Sequence, residues 1–350
     1  MKKKILHIIS SIVWRGCEQQ VHYLFNHQSN DFEYYLFCPK NAELEKRNAV
    51  KKDKIFTYKK RVGFDLFAAI ELKKVCKKHA IDIIQLHDSH AINTYILADL
   101  LGMNLPAIIH RHVNHPITSN WKYNHKKIKK IICVSEVVKN TVSKMVDEKK
   151  LVVVHPAIDI KKFETETIRK FEKKDFIVGI ISALEKEKNI EEFIEIANKI
   201  SIKRKDIKFI IVGDGSLKFH PDINQNKQHN TQISFLGFRN DIPEILSTLD
   251  VFLFTSKSEG LGIVLLEAMA AKVPIVSNNF PAVREVIENE KTGYIYTTIE
   301  DAIHKIEILI TKYEIQNTII ENAFNFVQDF DITLMNKKIE VIYNNLFTND

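Results

Sequence analysis

The sequence predicts an α/β protein made of two doubly wound domains, each a parallel sheet with helices on both faces. Its 350 residues, of which 45% are hydrophobic, suffice for two separate cores. Short apolar runs alternate with amphipathic stretches over residues 1–165, and the same alternation begins again at Phe176 after the charged stretch 161–174. We therefore place the domains at 1–165 and 166–330 and expect a cleft between them.

The strands of the first domain are predicted from apolar runs bounded by polar or turn residues. They lie at 5–10, 34–38, 55–58, 81–87, 106–109, 131–134 and 151–154. Helices are predicted over 19–26, over 64–79 and up to residue 101. Gly16 lies in the turn after the first strand, where a glycine lets the backbone approach a ligand that a side chain would block.

The second domain repeats this pattern. Its strands are predicted at 176–182, 208–212, 233–236, 250–254, 273–277 and 293–296. Its helices are predicted over 190–200, up to 249, from about 262 to 271, and over 283–288. Apolar residues near helical spacing from Phe324 to Phe347 predict a final helix.

The stretch from Thr255 to Ala271 carries the strongest functional signal. A helix that begins near Gly262 directs unbonded backbone N–H groups at the crevice beyond the strand, which suits phosphate oxygens. Glu267 is the one side chain between Ile263 and Ala271 that is not apolar, so its carboxylate needs donors such as the two hydroxyls of a ribose. A helix capped by an acidic loop is the structural alternative.

The cysteine and hydropathy patterns restrict the class of protein. Four widely spaced cysteines (Cys17, Cys38, Cys76 and Cys133) include no C-x-x-C pair, which favours reduced cytosolic thiols over a disulfide framework or a zinc knuckle. The sequence has no run of about 18 apolar residues, the length that a membrane-spanning helix needs. We expect a cytoplasmic protein, with peripheral attachment at the inner face of the membrane as an option.

Charge is divided unevenly along the chain. Residues 1–165 hold 29 Lys and Arg against 16 Asp and Glu, whereas residues 166–350 hold 22 against 28. The basic first domain also contains an aromatic and basic cluster between Trp121 and Lys130. This pattern suits an anionic membrane surface, and an ordinary lysine-rich solvated face explains it equally well.

Five histidines follow two successive predicted strands: His87, His90, His110, His112 and His115. No carboxylate or thiol follows them at ligand spacing, so the sequence does not favour a metal site. The preferred interpretation is a single histidine that acts on substrate at the carboxyl edge of the sheet.

Several motifs together resemble glycosyltransferase family 4, whose members are retaining enzymes of GT-B fold that use nucleotide sugars. The most specific is Ser-x-x-Glu-Gly-Leu-Gly-Ile-Val-x-Leu-Glu-Ala-Met-Ala, in which Glu259 and Glu267 are separated by seven residues. Supporting motifs lie at 14–18, 155–159, 184–189 and 235–241. The resemblance extends almost end to end and implies a GT-B fold, with two Rossmann-like domains and an interdomain cleft.

The resemblance assigns donor-binding roles in the second domain. Glu267 would bind the donor ribose, and Glu259 would act as a catalytic residue that holds hydroxyls of the transferred sugar. Lys188 would neutralise the diphosphate leaving group, assisted by the backbone N–H groups of Leu261, Gly262 and Ile263. The turn that carries Arg239 would recognise the base.

In the first domain, the resemblance implies that Gly16 packs against the donor. His112, six residues after Pro106, aligns with the family's histidine that contacts the sugar at the reaction centre. By the same resemblance, a C-terminal helix at about 331–350 crosses back onto this domain.

Two departures from the family pattern concern the diphosphate and the sugar. Ser182-Ala183-Leu184 replaces the usual Gly-Arg-Leu, so one of two expected phosphate cations is missing, with Lys186 or Arg15 as candidate substitutes. Pro281-Ala282 stands where a Gly-Gly turn is expected.

We therefore predict a retaining glycosyltransferase that moves a sugar from a nucleotide-diphosphate sugar to a glycan or lipid-linked acceptor, in cell-surface polysaccharide or lipopolysaccharide synthesis. The alternatives are a catalytically weakened nucleotide-sugar-binding protein, for which Ala183 is the supporting feature, and a nucleotide-sugar epimerase. No cofactor or metal is expected, and no nucleic acid, because the basic residues form no recognisable module. The sugar, the base and the acceptor stay open.

Overall fold

The fold is described from a computed structural model over residues 1–61, 65–117, 119–163, 175–219 and 230–348. The chain divides into two compact units: Met1–Pro156 with Ile332–Asp350, and Ala157–Asp331. The division therefore falls at Pro156, whereas the boundary predicted at 165 lies outside the described residues. The terminal segment belongs to the first unit, in the place that the sequence suggested for the crossover helix.

The first unit contains a seven-stranded parallel sheet with the order β3-β2-β1-β4-β5-β6-β7. Its strands are β1 (Lys3–Ile8), β2 (Phe32–Pro39), β3 (Ile55–Tyr58), β4 (Ile83–Leu86), β5 (Ala107–Arg111), β6 (Ile128–Cys133) and β7 (Leu151–Val153). Each matches a predicted apolar run to within a few residues. The strands read as nearly continuous apolar runs because helices cover both faces of a parallel sheet.

The helices of the first unit follow the same alternation. They are Gly16–Asn26, Glu43–Arg47, Leu66–His79, Ser89–Leu100, Asn120–Tyr123, Glu136–Ser143 and Ile332–Thr348. The first helix begins at Gly16, three residues earlier than predicted. Phe64, where the third was predicted to start, lies outside the described residues.

The second unit contains a six-stranded parallel sheet with the order β10-β9-β8-β11-β12-β13. Its strands are β8 (Phe176–Ile181), β9 (Ile207–Val212), β10 (Ile233–Gly237), β11 (Val251–Phe254), β12 (Ile275–Asn278) and β13 (Tyr294–Tyr296). Its helices are Ile190–Lys203, Ile242–Thr248, Ile263–Ala270, Ile299–Thr311 and Tyr313–Val327. The last two were not predicted, and the helix predicted at 283–288 is a 3-10 helix over Pro281–Glu285.

Each sheet reverses its strand order at one point, between β1 and β4 in the first unit and between β8 and β11 in the second. At such a switch point the connections leave toward opposite faces, and a crevice opens beyond the carboxyl ends of the two strands. The segments that follow β1, β4, β8 and β11 contain Gly16, which is the first residue of its helix, His87, Lys188 and Glu259. The topology therefore places these four predicted positions at switch points.

The C-terminal helix Ile332–Thr348 packs within the first unit. The Tyr343 side chain is fully buried, its hydroxyl donates to the Gln85 side chain of β4, and its ring packs edge-on against Phe32 of β2. Glu340 accepts a hydrogen bond from the Tyr34 hydroxyl at 3.3 Å. This helix is thus part of the core of the first unit.

Within the described ranges, no helix has both the length and the apolar character needed to cross a membrane.

Candidate active site

At the switch point of the second unit, the loops after β8 and β11 are bonded to each other. The Thr255 hydroxyl donates to the carbonyl of Lys188 at 2.9 Å, and the backbone N–H of Lys257 donates to the carbonyl of Glu187 at 2.9 Å. Thr255 is fully buried, so its hydroxyl needs this protein partner. These two bonds fix the position of the Lys188 backbone relative to the start of the glycine-bearing loop.

Lys188 and Glu259 form an ion pair across these loops. The Lys188 Nζ lies 2.6 Å from the Glu259 Oε1, and the two side chains are only 19% and 15% exposed. The resemblance assigned them to the diphosphate and to the sugar, and the structure adds that they hold each other. The pair holds the Lys188 ammonium at the switch point, where an anionic ligand could bind it in place of the Glu259 carboxylate.

The glycine-bearing loop leads into the helix Ile263–Ala270 through a left-handed residue. Gly262 has φ 96°, ψ 64°, a conformation that L side chains rarely adopt. Leu261 and Gly262 are buried, and Ile263 is half-buried. Gly262 is the N-cap of the helix and Ile263 its first residue, so their backbone N–H groups have no intrahelical acceptor, and Leu261 lies directly before the cap.

Glu267 lies in the middle of this helix and is 9% exposed. The neighbouring helical side chains Leu265, Leu266, Ala268 and Met269 are completely buried. The predicted burial of this carboxylate is therefore what the structure shows. A buried carboxylate recognises a neutral diol well, because each hydroxyl donates to it without adding charge.

Two serine hydroxyls at this switch point have no hydrogen-bond partner within the described part of the chain. They are the Oγ atoms of Ser182, directly after β8, and Ser256, two residues after β11. A buried hydroxyl without a partner is costly, so it marks a place where a ligand oxygen would be bonded. The sequence reasoning missed both serines, although their position directly after two neighbouring strands was a usable signal.

The loop that begins at Ser182 is held tightly against the loop after β9. The N–H of Ser182 donates to the carbonyl of Val212, and the N–H of Leu184 donates to the carbonyl of Asp214. A Cβ atom at Gly213, where φ is 138°, would lie 1.8 Å from the Ser182 carbonyl oxygen. Only glycine therefore allows this approach, which sets the start of the loop that carries Lys188.

Arg239, predicted to lie at the base-recognition turn, is on the surface after β10. Its guanidinium makes two hydrogen bonds to the Asp241 carboxylate, one of them 2.8 Å long, and its side chain is 44% exposed. The Asp241 carboxylate raises the pKa of Arg239 and is itself held at a lower pKa. In this arrangement the Arg239 side chain braces the turn.

At the switch point of the first unit, Asp88 joins the loop after β1 to the helix after β4. Its carboxylate accepts from the backbone N–H of Ser10 at 2.5 Å, from the Ser10 hydroxyl at 2.8 Å and from the N–H of Ala91 at 2.9 Å. The last bond caps the helix Ser89–Leu100. Asp88 was not singled out by the sequence.

The turn that contains Gly16 carries a second buried carboxylate. Glu18, two residues after Gly16, is 3% exposed and accepts from the backbone N–H of Arg15 at 2.9 Å. Burial raises the pKa of Glu18. It also raises the pKa of the neighbouring Cys17 thiol, to which Glu18 and Asp88 contribute further. The cysteine is consequently held as the neutral thiol.

Histidine side chains form a connected cluster beside this turn. The His7 Nδ1 lies 3.1 Å from the His87 Nε2, and the His87 Nδ1 lies 3.2 Å from the His112 Nε2. The His110 and His112 rings stack with centroids 4.2 Å apart. Burial lowers the pKa of all four, to about 3 for His7 and His112, so the rings are neutral at physiological pH. His112, the predicted catalytic histidine, is thus part of a group, which its position in the sequence did not indicate.

The structure defines the class of protein through its fold. It superposes on the crystal structure of Anabaena HepE in complex with UDP-glucose with a TM-score of 0.84, at 19% sequence identity, over 98% of this chain and 99% of that one. It superposes on a glycosyltransferase from Rickettsia africae with a TM-score of 0.82, at 21% identity, over the whole of both chains. The two parallel-sheet units are therefore those of the GT-B fold, as predicted.

The sequence places the chain within that class. Glycosyltransferase Family 4 matches residues 14–162, and Glycosyl transferases group 1 matches residues 161–326. The chain is 27% identical to the UDP-Gal:alpha-D-GlcNAc-diphosphoundecaprenol alpha-1,3-galactosyltransferase of Escherichia coli, over 99% of its own length and 98% of that protein. It is also 26% identical to the capsular polysaccharide biosynthesis glycosyltransferase CapM of Staphylococcus aureus, over 61% of each.

This chain belongs to glycosyltransferase family 4, and it is a glycosyltransferase.

Proposed function

We propose that this enzyme transfers a hexose, with retention, from a UDP-sugar to a lipid-linked glycan acceptor in cell-surface polysaccharide synthesis. The observation that carries the proposal is the Lys188–Glu259 ion pair at the switch point of the second sheet. Glu259 lies in the loop that leads into the helix with the buried Glu267. The names of the relatives support the finer points, because the Escherichia coli relative is named for UDP-Gal and a diphosphoundecaprenol acceptor. Nothing in the comparisons favours a non-catalytic binding protein or an epimerase.

The proposed chemistry uses the charges at this site directly. As the bond between the sugar C1 and the diphosphate oxygen breaks, negative charge grows on the leaving group. The Lys188 ammonium and the backbone N–H groups of residues 261–263 stabilise that charge. The acceptor hydroxyl forms the new bond to C1 on the same face and passes its proton to the departing phosphate oxygen. Glu259, released from Lys188 by the diphosphate, then accepts bonds from hydroxyls of the sugar. The proposed reaction draws on no metal.

We expect UDP to stabilise the protein more than ADP or GDP at equal concentration, with a melting temperature that rises with the logarithm of the UDP concentration. Glu267→Ala should weaken UDP binding by about 10- to 100-fold, because the ribose hydroxyls lose their charge-assisted bonds to the carboxylate. Thermal shift titrations, together with release of UDP from UDP-hexoses, measure both effects.

Glu314→Ala is the matched control, since Glu314 is an exposed glutamate at the start of the helix Tyr313–Val327 in the same unit. It should bind UDP like the wild type. Equal UDP affinity of the wild type and Glu267→Ala would remove Glu267 from the donor site. An absence of any stabilisation by nucleoside diphosphates would contradict the proposed donor class.

A lipid-linked acceptor requires the enzyme to work at a membrane, and the first unit offers a suitable surface. The Trp121 side chain is 54% exposed, and Lys122 follows it in the short helix Asn120–Tyr123. An exposed tryptophan beside lysines suits the interface of an anionic bilayer. The anionic membrane surface and the lipid-linked acceptor are accordingly parts of the same proposal.

We expect the protein to sediment with vesicles that contain anionic phospholipid at low salt, and to be released as ionic strength rises. The double variant Trp121→Ser/Lys122→Glu should bind several-fold more weakly, while Lys199→Glu, an exposed change in the second unit, serves as the control. Equal sedimentation of the wild type with anionic and purely zwitterionic vesicles would contradict the electrostatic part. Equal sedimentation of the double variant and the wild type would show that Trp121 and Lys122 do not form the membrane contact.

A further inference from the structure

We propose that His87, His110 and His112 form a binding site for a borderline divalent transition metal, of which Zn²⁺ is the representative. One ring nitrogen from each of the three lies within 4.8 Å of the others, a grouping that the sheet produces by placing the ends of β4 and β5 side by side. Three neutral imidazoles with a fourth position left open are a common donor set for zinc. The site lies entirely within the first unit.

The distances are close to those that a metal would impose. Zn–N bonds of 2.0–2.1 Å in a tetrahedron separate two ligand nitrogens by roughly 3.3 Å. The His87 Nδ1 and His112 Nε2 are 3.2 Å apart without any metal, so this pair needs almost no movement. The His87 ring centroid is 5.5 Å from those of His110 and His112, while the last two are 4.2 Å apart. The three ligand nitrogens lie within 4.8 Å of one another, so reaching a separation of about 3.3 Å asks for movements of roughly 1.5 Å at most.

Groups around the cluster are placed to orient two of the ligands. His7 bonds to the Nε2 of His87, which leaves the His87 Nδ1 for the metal. Gln85 bonds to the Nδ1 of His110, which leaves the His110 Nε2, a buried atom with no partner among the described residues. Metal-binding histidines commonly have their second nitrogen bonded in this way, because the bond fixes the ring and its tautomer.

The tautomer of His110 also explains its unpaired nitrogen. With the Gln85 amide nitrogen facing Nδ1, the single ring proton of His110 stays on the buried Nε2 and has no acceptor. Rotating the amide by 180°, a change that leaves its shape nearly the same, lets the Gln85 oxygen accept from Nδ1–H and the amide nitrogen donate to Tyr343. The lone pair of Nε2 then becomes available to the metal.

By the resemblance, His112 contacts the transferred sugar, and a metal that binds its Nε2 would compete for that side chain. Micromolar Zn²⁺ should therefore inhibit sugar transfer, a consequence that rests on the proposed function, whereas metal binding itself does not. Zinc would act on the first unit alone, so UDP binding to the second unit should continue.

The test is Zn²⁺ titration of the full chain against a chromophoric chelator, with Co²⁺ absorption as a second readout. We expect one Zn²⁺ per chain and the visible bands of tetrahedral Co²⁺. His112→Gln, at a partly exposed position, should weaken Zn²⁺ binding by at least 10- to 100-fold and remove the Co²⁺ bands. His110→Gln is the second ligand variant, and it should likewise weaken Zn²⁺ binding by at least 10-fold.

His90→Ala is the matched control, because His90 is exposed and lies three residues after His87. Equal Zn²⁺ affinity of the wild type and His112→Gln, or less than one bound Zn²⁺ per wild-type chain, would overturn the site. UDP-induced stabilisation is measured on the same samples. If the wild type binds UDP but no Zn²⁺, the metal site alone is refuted. If it binds Zn²⁺ but no UDP, the donor proposal alone is refuted.

Discussion

Lys188→Ala is expected to lower kcat/KM for sugar transfer by about 10²- to 10³-fold, because a fixed positive charge aimed at a developing anion contributes that much to the rate. The loss should be larger than that of a surface lysine for a structural reason. Lys188 is only 19% exposed, and its backbone carbonyl is held by Thr255, so neither water nor a neighbouring side chain replaces the charge readily. Steady-state kinetics with a UDP-hexose measure the effect.

Lys257→Ala is the control for Lys188→Ala. Lys257 lies on the adjacent loop and its side chain is exposed, and its bond to Glu187 uses the backbone N–H, which alanine retains. It should stay within about two-fold of the wild type, as expected for a screened surface charge. A kcat/KM for Lys188→Ala within three-fold of the wild type would refute the assigned role of the lysine.

The ion pair also makes the effects of Lys188→Ala and Glu259→Ala on the free energy of unfolding non-additive. Removing either partner leaves a largely buried charge alone, whereas removing both leaves none. The double variant should therefore unfold at a higher denaturant concentration than the less stable single variant. Donor-free protein is required for this measurement, since a bound diphosphate would compensate for the missing carboxylate.

Gly213→Ala is expected to destabilise the second unit by at least about 3 kcal/mol, the sum of backbone strain and a steric conflict. The new methyl carbon would lie 1.8 Å from the carbonyl oxygen of Ser182, which is backbone and is held in place by the bond from Ser182 to Val212. Neither the methyl group at position 213 nor the Ser182 carbonyl can shift without moving the loop that carries Lys188. Chemical denaturation followed by circular dichroism measures the change.

Gly237→Ala separates strain from steric conflict. Gly237 also has a positive φ, 67°, but a Cβ there would meet nothing within 4 Å. Its cost should be that of the left-handed backbone alone, about 1–2 kcal/mol. The fluorescence of Trp14 and Trp121, both in the first unit, reports whether that unit stays folded. Equal destabilisation by the two glycine variants would refute the conflict with Ser182.

The fold was largely predictable, because both faces of a parallel sheet are buried and its strands therefore appear in the sequence as apolar runs. The runs at β1, β4 and β11 are completely or mostly buried in the structure, the run at β8 is buried over its central residues, and together they define both switch points. The helices Ile299–Thr311 and Tyr313–Val327 were missed, although Ala302, Ile306 and Leu309 recur at helical spacing and are buried. That signal was present and was not used.

The side-chain partnerships of the site were less predictable, because they depend on which strands become neighbours. Lys188 and Glu259 lie 71 residues apart in the chain, and only the pairing of β8 with β11 brings them together. The histidine cluster likewise depends on β4 pairing with β5. By contrast, the pairing of Arg239 with Asp241 is local, and the sequence reasoning could have anticipated it.

The return of the C-terminal helix to the first unit affects the order in which the chain folds during synthesis. The core of the first unit lacks Tyr343, and Gln85 lacks its partner hydroxyl, until the helix Ile332–Thr348 has left the ribosome. Residues 157–331 emerge before that point and contain every strand of the second sheet. The half of the protein that is translated later can therefore finish folding first, which reverses the usual order for multidomain chains.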